Sequence, residues 1–431
     1  MDKSLDRKLA AIHANPSSCR EFILADAKDA DMAFGIGAPG QSPEAHSGEV
    51  RFKTLEEYRE QIRAIIHQGV VDIMLMSAST NHALTIRERR FEGSAITPAA
   101  RANDTTDVHI ARGSHYAQEP ARPFRSASLD HIQCGHLDCS TEERALGADL
   151  GLYSVTFNNN LQLDLETLKQ FHEFREEAER KKFRYFLEVF DPNAPGAIDP
   201  AVLPHYLNDM IARMLAGVAP EGRPVFLKIV YHGPRAMEEL VRYDPHLVVG
   251  ILGGSAGTTL DAFQMLHDAQ KYGAKVALYG RKINNAENQL AFIQFLRLIV
   301  EGVIGPVEAV KAYHAVLGKL GIAPKRSLAD DLTTQSAAMS YGGTKTSVAV
   351  PAPMAKVVST IDSCSCHGPK PKQIGQNCAC QHPKAPPAVA LSAGPPSRNG
   401  FPITLDGRPD FAKMDVSQRL AYHRDRLGLG R

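Results

Sequence analysis

No apolar stretch in this chain reaches the ~18–20 residues that a membrane-spanning helix needs, so no membrane partner is expected. There is no excess of one charge either. The 49 Lys and Arg residues face 48 Asp and Glu residues, a formal net charge of +1 with no basic block. With that balance, a nucleic-acid or anionic-membrane surface is not implied. The stretch Met1–Pro16 alternates charge with Leu and Ala and lacks the apolar core of a signal peptide, which makes the cytoplasm the expected compartment. Cysteine is scarce and odd in number, seven in all. An odd count speaks against a full disulfide framework, and reduced thiols are normal in the cytoplasm. What is present is a globular composition, 43% hydrophobic and 23% charged, with material for a full core. A length of 431 residues accommodates one large domain with appendages, or two or three ordinary ones.

From residue 21 to about 317, short β-branched runs alternate with amphipathic helical stretches, the pattern of parallel α/β architecture. The strands expected are Phe22–Ala25, Val71–Met76, Ser128–Gln133, Leu152–Phe157, Tyr185–Phe190, Val225–Val230, Leu247–Leu252 and Lys275–Tyr279. Helices are expected at Leu55–His67, Glu142–Ala148, Leu165–Lys182, Pro204–Ala216, Arg235–Tyr243 and Thr259–Tyr272, with Ala286–Glu301 closing the cycle. Eight strand–helix units in roughly 300 residues suit a (β/α)8 TIM barrel. An open doubly wound sheet fits the same periodicity, because periodicity does not reveal closure. Phe91–Arg125 reads as a long insertion between the second and third strands, with Asn103-Asp104-Thr105-Thr106-Asp107 inside it. Loops of that length are often lids or oligomer contacts. The barrel domain is thus expected over 1–345. A Pro-, Ala- and Ser-rich low-complexity linker follows over 346–400, and a C-terminal docking segment over 401–431 with a short helical pattern at Val416–Leu427.

A barrel carries its chemistry at the C-terminal ends of its strands. The sixth expected strand, Val225-Phe226-Leu227-Lys228-Ile229-Val230, sets one lysine among large apolar residues. Burial there disfavours the ammonium and leaves an amine able to attack a carbonyl. A salt-bridged or snorkelling lysine fits the strand as well. The fifth, Tyr185-Phe186-Leu187-Glu188-Val189-Phe190, repeats the form with one carboxylate, suited either to proton transfer or to pairing a neighbouring cation. Adjacent strands in a barrel would bring Glu188 close to Lys228. The first strand runs into a charge cluster, Asp26-Ala27-Lys28-Asp29-Ala30-Asp31, where Asp26 lies nearest the strand and a solvated loop is the alternative. Gly253-Gly254-Ser255 and Gly280-Arg281 follow the last two strands. Glycine turns there expose backbone N–H groups to an anion, and a guanidinium suits phosphate, although a plain tight turn also explains the glycines.

With these residues in place, the chain resembles the class I aldolases of the DhnA and tagatose-bisphosphate aldolase type, most closely over Pro224–Asn288 and more loosely over about Glu21–Glu301. The resemblance implies that Lys228 forms an imine, that Glu188 is a proton-transfer base, and that Asp26 stands beside the lysine. It also implies that Gly253, Gly254, Ser255, Gly280 and Arg281 hold a substrate phosphate and that the protein is a homo-oligomer. One departure is plain. Relatives carry a catalytic tyrosine or lysine near the end of the fourth strand, where this chain reads Thr156-Phe157-Asn158-Asn159-Asn160, with Tyr153 earlier.

The expected function is an aldol lyase that makes or breaks a C–C bond in a phosphorylated keto sugar, with no cofactor required for catalysis. An acyl-transferring thiolase-like barrel and a non-catalytic scaffold with a metal-binding tail are the alternatives. In the tail, Cys364, Cys366, Cys378 and Cys380 form two Cys-x-Cys pairs, each with a histidine nearby, enough ligands for zinc or an iron–sulfur cluster. The spacing is tighter than the usual zinc knuckle, and the Pro- and Lys-rich surroundings offer little to pack around a metal.

Overall fold

The computed structural model describes residues 2–40, 52–108, 113–254, 257–335, 401–404, 409–410, 413–415, 417–418 and 421–422. The chain divides into two compact units, Met1–Gly40 with Phe52–Ser347, and Gln41–Arg51 with Val348–Arg431. In the second unit, Ile403 bridges Pro409 in antiparallel fashion and Phe401 meets Tyr422 edge-on. Most of Val416–Leu427, all of 346–400, and therefore the four tail cysteines lie outside the described residues.

The first unit holds eight parallel strands: β1 (Ile23–Lys28), β2 (Ile73–Met76), β3 (Thr97–Arg101), β4 (Leu150–Thr156), β5 (Arg184–Phe190), β6 (Leu227–Ile229), β7 (Val249–Leu252) and β8 (Val276–Tyr279). Their order around the sheet is their order in the chain, and β8 pairs with β1 from Ile23↔Val276 to Asp26↔Tyr279. The sheet is closed, which rules out the open doubly wound alternative. Eight helices of ten residues or more lie among the described residues: α1 (Ser4–Ala14), α2 (Leu55–Gln68), α3 (Leu161–Arg180), α4 (Leu203–Ala216), α5 (Pro234–Tyr243), α6 (Thr259–Lys271), α7 (Gln289–Val300) and α8 (Pro306–Lys319). Helix ends follow local chemistry. Thr54 and Glu57 form a capping box before α2, Gly69 ends that helix at φ 73°, and Thr258 with Asp261 caps α6 in the same way. Sequence periodicity had not marked α1 or α8.

One strand and one insertion are corrected. Ser128–Gln133 is not the third strand, because Leu129–Gln133 is a helical turn whose N-cap, Ser128, accepts from the His131 N–H. Its apolar residues Leu129 and Ile132 are three apart, a helical interval rather than the two-residue interval of a strand. The third strand is Thr97–Arg101, inside the stretch read as an insertion, so the long connection runs from Ala102 to Asp149 between β3 and β4. The expectation of reduced thiols also fails in one place, since Cys134 and Cys139 are joined in a disulfide.

Alternation along the strands sorts two cores. Outward residues such as Leu24, Met74, Tyr153, Leu187, Ile229 and Tyr279 pack under the helices. Inward residues such as Ala25, Leu75, Leu152, Phe186, Phe226 and Leu278 fill the lumen, and Leu5, Leu9 and Ile12 of α1 join them, so α1 stoppers the end where the strands begin. The seam is fastened by ions. Asp72, 4% exposed, binds Lys8 of α1 at 2.9 Å and Arg297 of α7 at 2.6 Å, and also accepts from the Leu24 N–H at 2.8 Å.

Candidate active site

Above the apolar floor of the lumen lies one polar layer. The register sets Ser154 of β4, Glu188 of β5, Lys228 of β6 and Gly250 of β7 side by side. Lys228 Nζ is 2.5 Å from Glu188 Oε1, with side-chain exposures of 5% and 0%. Ser154 Oγ donates to Glu188 Oε2 at 2.8 Å. Gly250 leaves one flank of the lysine without a side chain, and a Cβ there would come within 2.6 Å of the Leu227 carbonyl oxygen. Phe186 and Phe226 stack at 4.6 Å in the floor below. Val108, Phe190, Val230 and Leu252 form an apolar cluster one inward step further up the strands.

Sequence reasoning missed the other half of this layer. Arg101, at the end of β3, is 5% exposed and lies 2.6 Å from Asp29, 2.9 Å from Asp104 and 3.9 Å from Glu188. Burial works to lower the pKa of its guanidinium, but Asp29, Asp104 and Glu188 outweigh it and hold that pKa above its ordinary value. Asn103 locks the arrangement by accepting from the Ser154 N–H at 2.6 Å and donating to the Ser154 carbonyl at 2.8 Å. The signal was available in Asn103-Asp104-Thr105-Thr106-Asp107, a polar run directly after what proves to be a strand end.

Asp26 does not join the layer. Its register partners Met74 and Tyr279 belong to the outer core, and its carboxylate meets Lys28 at 3.6 Å. Lys28 in turn donates to Gln289 at 2.9 Å and sits over the Tyr58 ring, all on the helix side of β1. The first-strand carboxylate that faces Arg101 is Asp29. Burial pushes Asp26 from 3.8 up to about 6, against the pull of Lys28, whose own pKa burial lowers. Because the folded-state value lies above the unfolded one, the contribution of Asp26 is present in full below about pH 4 and is lost as pH rises toward 6. The stability of wild type relative to Asp26→Asn is therefore expected to fall between pH 4 and pH 6 and then level off. Thermal unfolding of both proteins across that range checks it, and a difference that rises with pH would contradict it.

At the last two strands, the Gly253 N–H is spent on the Leu278 carbonyl at 2.7 Å and so is not free for an anion. A Cβ on Gly253 would stand 2.2 Å from the Tyr279 ring, which accounts for that glycine by packing. Gly254 turns the chain at φ 55°, and Ser255 lies outside the described residues. The first turn of α6 is capped internally, the Thr258 N–H by Asp261 and the Thr259 N–H by Asp331, each at 2.7 Å. A Cβ on Gly280 would come within 2.8 Å of the Ala27 carbonyl oxygen. Arg281 lies over the Phe34 ring at 5.5 Å, and Lys282 donates to the Gly257 carbonyl at 2.9 Å, tying the two turns together. Burial pulls Lys282 down to about 8, with Arg326 adding to the shift. Two cations therefore stand at the turn after β8. Among the described residues no group of three His, Cys, Asp or Glu side chains could hold a metal ion.

No family model matches the chain, and no curated protein matches its sequence. Among solved structures it is similar to an archaeal fructose 1,6-bisphosphate aldolase, at 14% identity and a TM-score of 0.47 over 68% of this chain and 99% of that one. A second archaeal fructose-1,6-bisphosphate aldolase structure, with its catalytic Lys bound to the carbinolamine intermediate, stands at 15% and 0.47 over 68% and 99%. Orotidine 5'-phosphate decarboxylase from Pyrococcus horikoshii stands at 13% and 0.37 over 65% and 100%. Likeness of this size adds nothing to the site, and the fold rests on the strands themselves: a closed (β/α)8 barrel.

Proposed function

We propose that the chain is a carbon–carbon lyase of the aldolase type, acting on a phosphorylated keto sugar through a Schiff base on Lys228. The observation that carries this reading is the Lys228–Glu188 contact of 2.5 Å in a polar layer between two apolar ones, one inward step below the strand ends where barrels do chemistry. Glu188 can take a proton from the lysine, leaving an amine that adds to a ketone. The resulting iminium accepts the electron pair of the breaking C–C bond, so the step asks for no metal. The Gly254 turn, Ser255, Gly280, Arg281 and Lys282 would bind the phosphate, with cations as its main partners. Borohydride reduction in the presence of dihydroxyacetone phosphate, followed by mass mapping, tests the reading. An adduct on Lys228 is the expected result, and its absence with a panel of such sugars would remove the proposal's foundation.

Arg281→Ala is expected to weaken that substrate by about 10-fold or more, the range of one charge-assisted contact. An unphosphorylated ketose should be nearly unaffected. Adduct yield against sugar concentration measures both, and equal losses would take the phosphate away from Arg281. The scaffold reading draws on one observation, the apolar cover of Val108, Phe190, Val230 and Leu252. If it is correct, no carbonyl compound of any size should label Lys228.

A further inference from the structure

Asp107, a carboxyl beside the lumen, has an oxygen that meets no hydrogen-bond donor among the described residues. After β3 the chain forms a short antiparallel ribbon, Asp104–Thr105 with Pro123–Phe124, and then sets Val108 among Phe190, Val230 and Leu252. That course carries Asp107 to the end of β4, where Thr156 Oγ1 donates to its Oδ2 at 3.0 Å. Its Oδ1 is buried and has no hydrogen-bond partner among the described residues. A buried acceptor in that condition is costly unless the group carries a proton or awaits a ligand. Burial raises the Asp107 pKa, the hydroxyls of Thr105 and Thr156 partly offset this, and the like charge of Glu188 raises it further. Glu188 is in a different condition, already engaged by Lys228 at 2.5 Å, Ser154 at 2.8 Å and Arg101 at 3.9 Å. A carboxylate shared by two cations and a hydroxyl has little left to offer a substrate.

We propose that Asp107 is the catalytic residue that exchanges protons with the substrate, while Glu188 serves the lysine. The inference rests on the Schiff-base reading. The carbinolamine formed on Lys228 loses its hydroxyl as water when protonated Asp107 supplies the proton, and the nitrogen lone pair closes the C=N bond. Asp107 is then a carboxylate beside an iminium. It takes the proton from the hydroxyl β to the iminium carbon. The O–H pair becomes the carbonyl of the departing aldehyde, the C–C pair becomes the enamine double bond, and the C=N π pair returns to nitrogen. Asp107, protonated again, delivers that proton to the enamine carbon. Finally it takes one from the water that adds to the iminium. The carbinolamine so formed collapses: its O–H pair becomes the ketone carbonyl, the C–N pair leaves on the Lys228 nitrogen, and the hydroxyl proton passes to that nitrogen, which restores the starting state.

The half-reaction tests this without knowledge of the aldehyde partner. In deuterated water the same carboxylate would exchange the α-hydrogen of dihydroxyacetone phosphate bound as iminium, which NMR follows. Wild type should exchange it, and Asp107→Glu, which keeps a carboxyl, should retain part of the rate. Asp107→Asn should lose on the order of 100-fold or more, the usual contribution of a positioned acid–base group. Equal exchange rates for the Asn and Glu variants, with the wild-type Lys228 adduct intact, would overturn the role of Asp107 and leave the Schiff base standing. Failure of wild type to form the adduct at all would instead bring down the reading beneath it.

Discussion

Lys228→Met is expected to leave the protein folded and unable to form any borohydride-stable adduct with dihydroxyacetone phosphate. Methionine matches the lysine stem in length and apolar character, and such swaps usually cost less than about 1.5 kcal/mol. Glu188 would lose its 2.5 Å partner but keep Ser154 and the Arg101 guanidinium, so its charge is not stranded. A modest fall in Tm should therefore accompany a complete loss of labelling. Site mapping matters because another buried lysine stands at the turn after β8, two strands along from β6. Lys282 is brought down to about 8 by burial and is the obvious competitor for a carbonyl. Wild-type label on Lys282, or label that survives in Lys228→Met, would move the chemistry to the turn after β8 and end the proposal as stated.

Arg101→Met should be the most damaging single change to the fold of the barrel mouth. The guanidinium is shared by Asp29, Asp104 and Glu188, all of them almost wholly inaccessible to solvent. Its removal takes a shared counter-ion from three buried carboxylates at once and leaves Lys228 beside Glu188 alone. Breaking a buried ion pair from one side costs about 3–5 kcal/mol, because the remaining charge is left uncompensated. In a domain of this size that corresponds to a drop in Tm on the order of 10 °C. Arg101→Lys should recover only part of it, since one ammonium cannot span three carboxylates in the fixed fork of a guanidinium. Thermal unfolding of both variants measures this, and a Tm within 2 °C of wild type for Arg101→Met would mean that the network contributes little.

The sequence made the eightfold alternation readable wherever strands are rich in β-branched and aromatic residues, as in Tyr185–Phe190. It failed at Thr97-Pro98-Ala99-Ala100-Arg101, where proline and two alanines imitate a loop and only burial by neighbouring strands makes a strand. That one error hid Arg101 and turned a strand end into the middle of an insertion. Lys228 and Glu188 were legible because each is a lone charge in a long apolar run. Asp26 was misplaced for want of one parity decision. Ala25 and Ala27 are small residues facing the lumen, which turns Asp26 and Lys28 outward and leaves the next inward position to Asp29. With Ile23 on one face and Leu24 on the other, and only alanines following on the lumen face, the two-residue period has no amplitude to read. Tertiary partners such as Asn103 with Ser154, 51 positions apart in the chain, leave no local trace.

The triad at Asp72 bears on the order in which the molecule can be made. Asp72 and Lys8 are synthesised early, but Arg297 lies 225 positions after Asp72, and β8, which closes the ring against β1, ends only at Tyr279. Until that last quarter of the first unit leaves the ribosome, β1 keeps an unpaired edge, and Asp72 holds one cation instead of two. Contacts of such separation slow folding and prolong the exposure of sticky edges. A nascent chain stalled before residue 297 should accordingly be a good client for a chaperone, and one released after it should not.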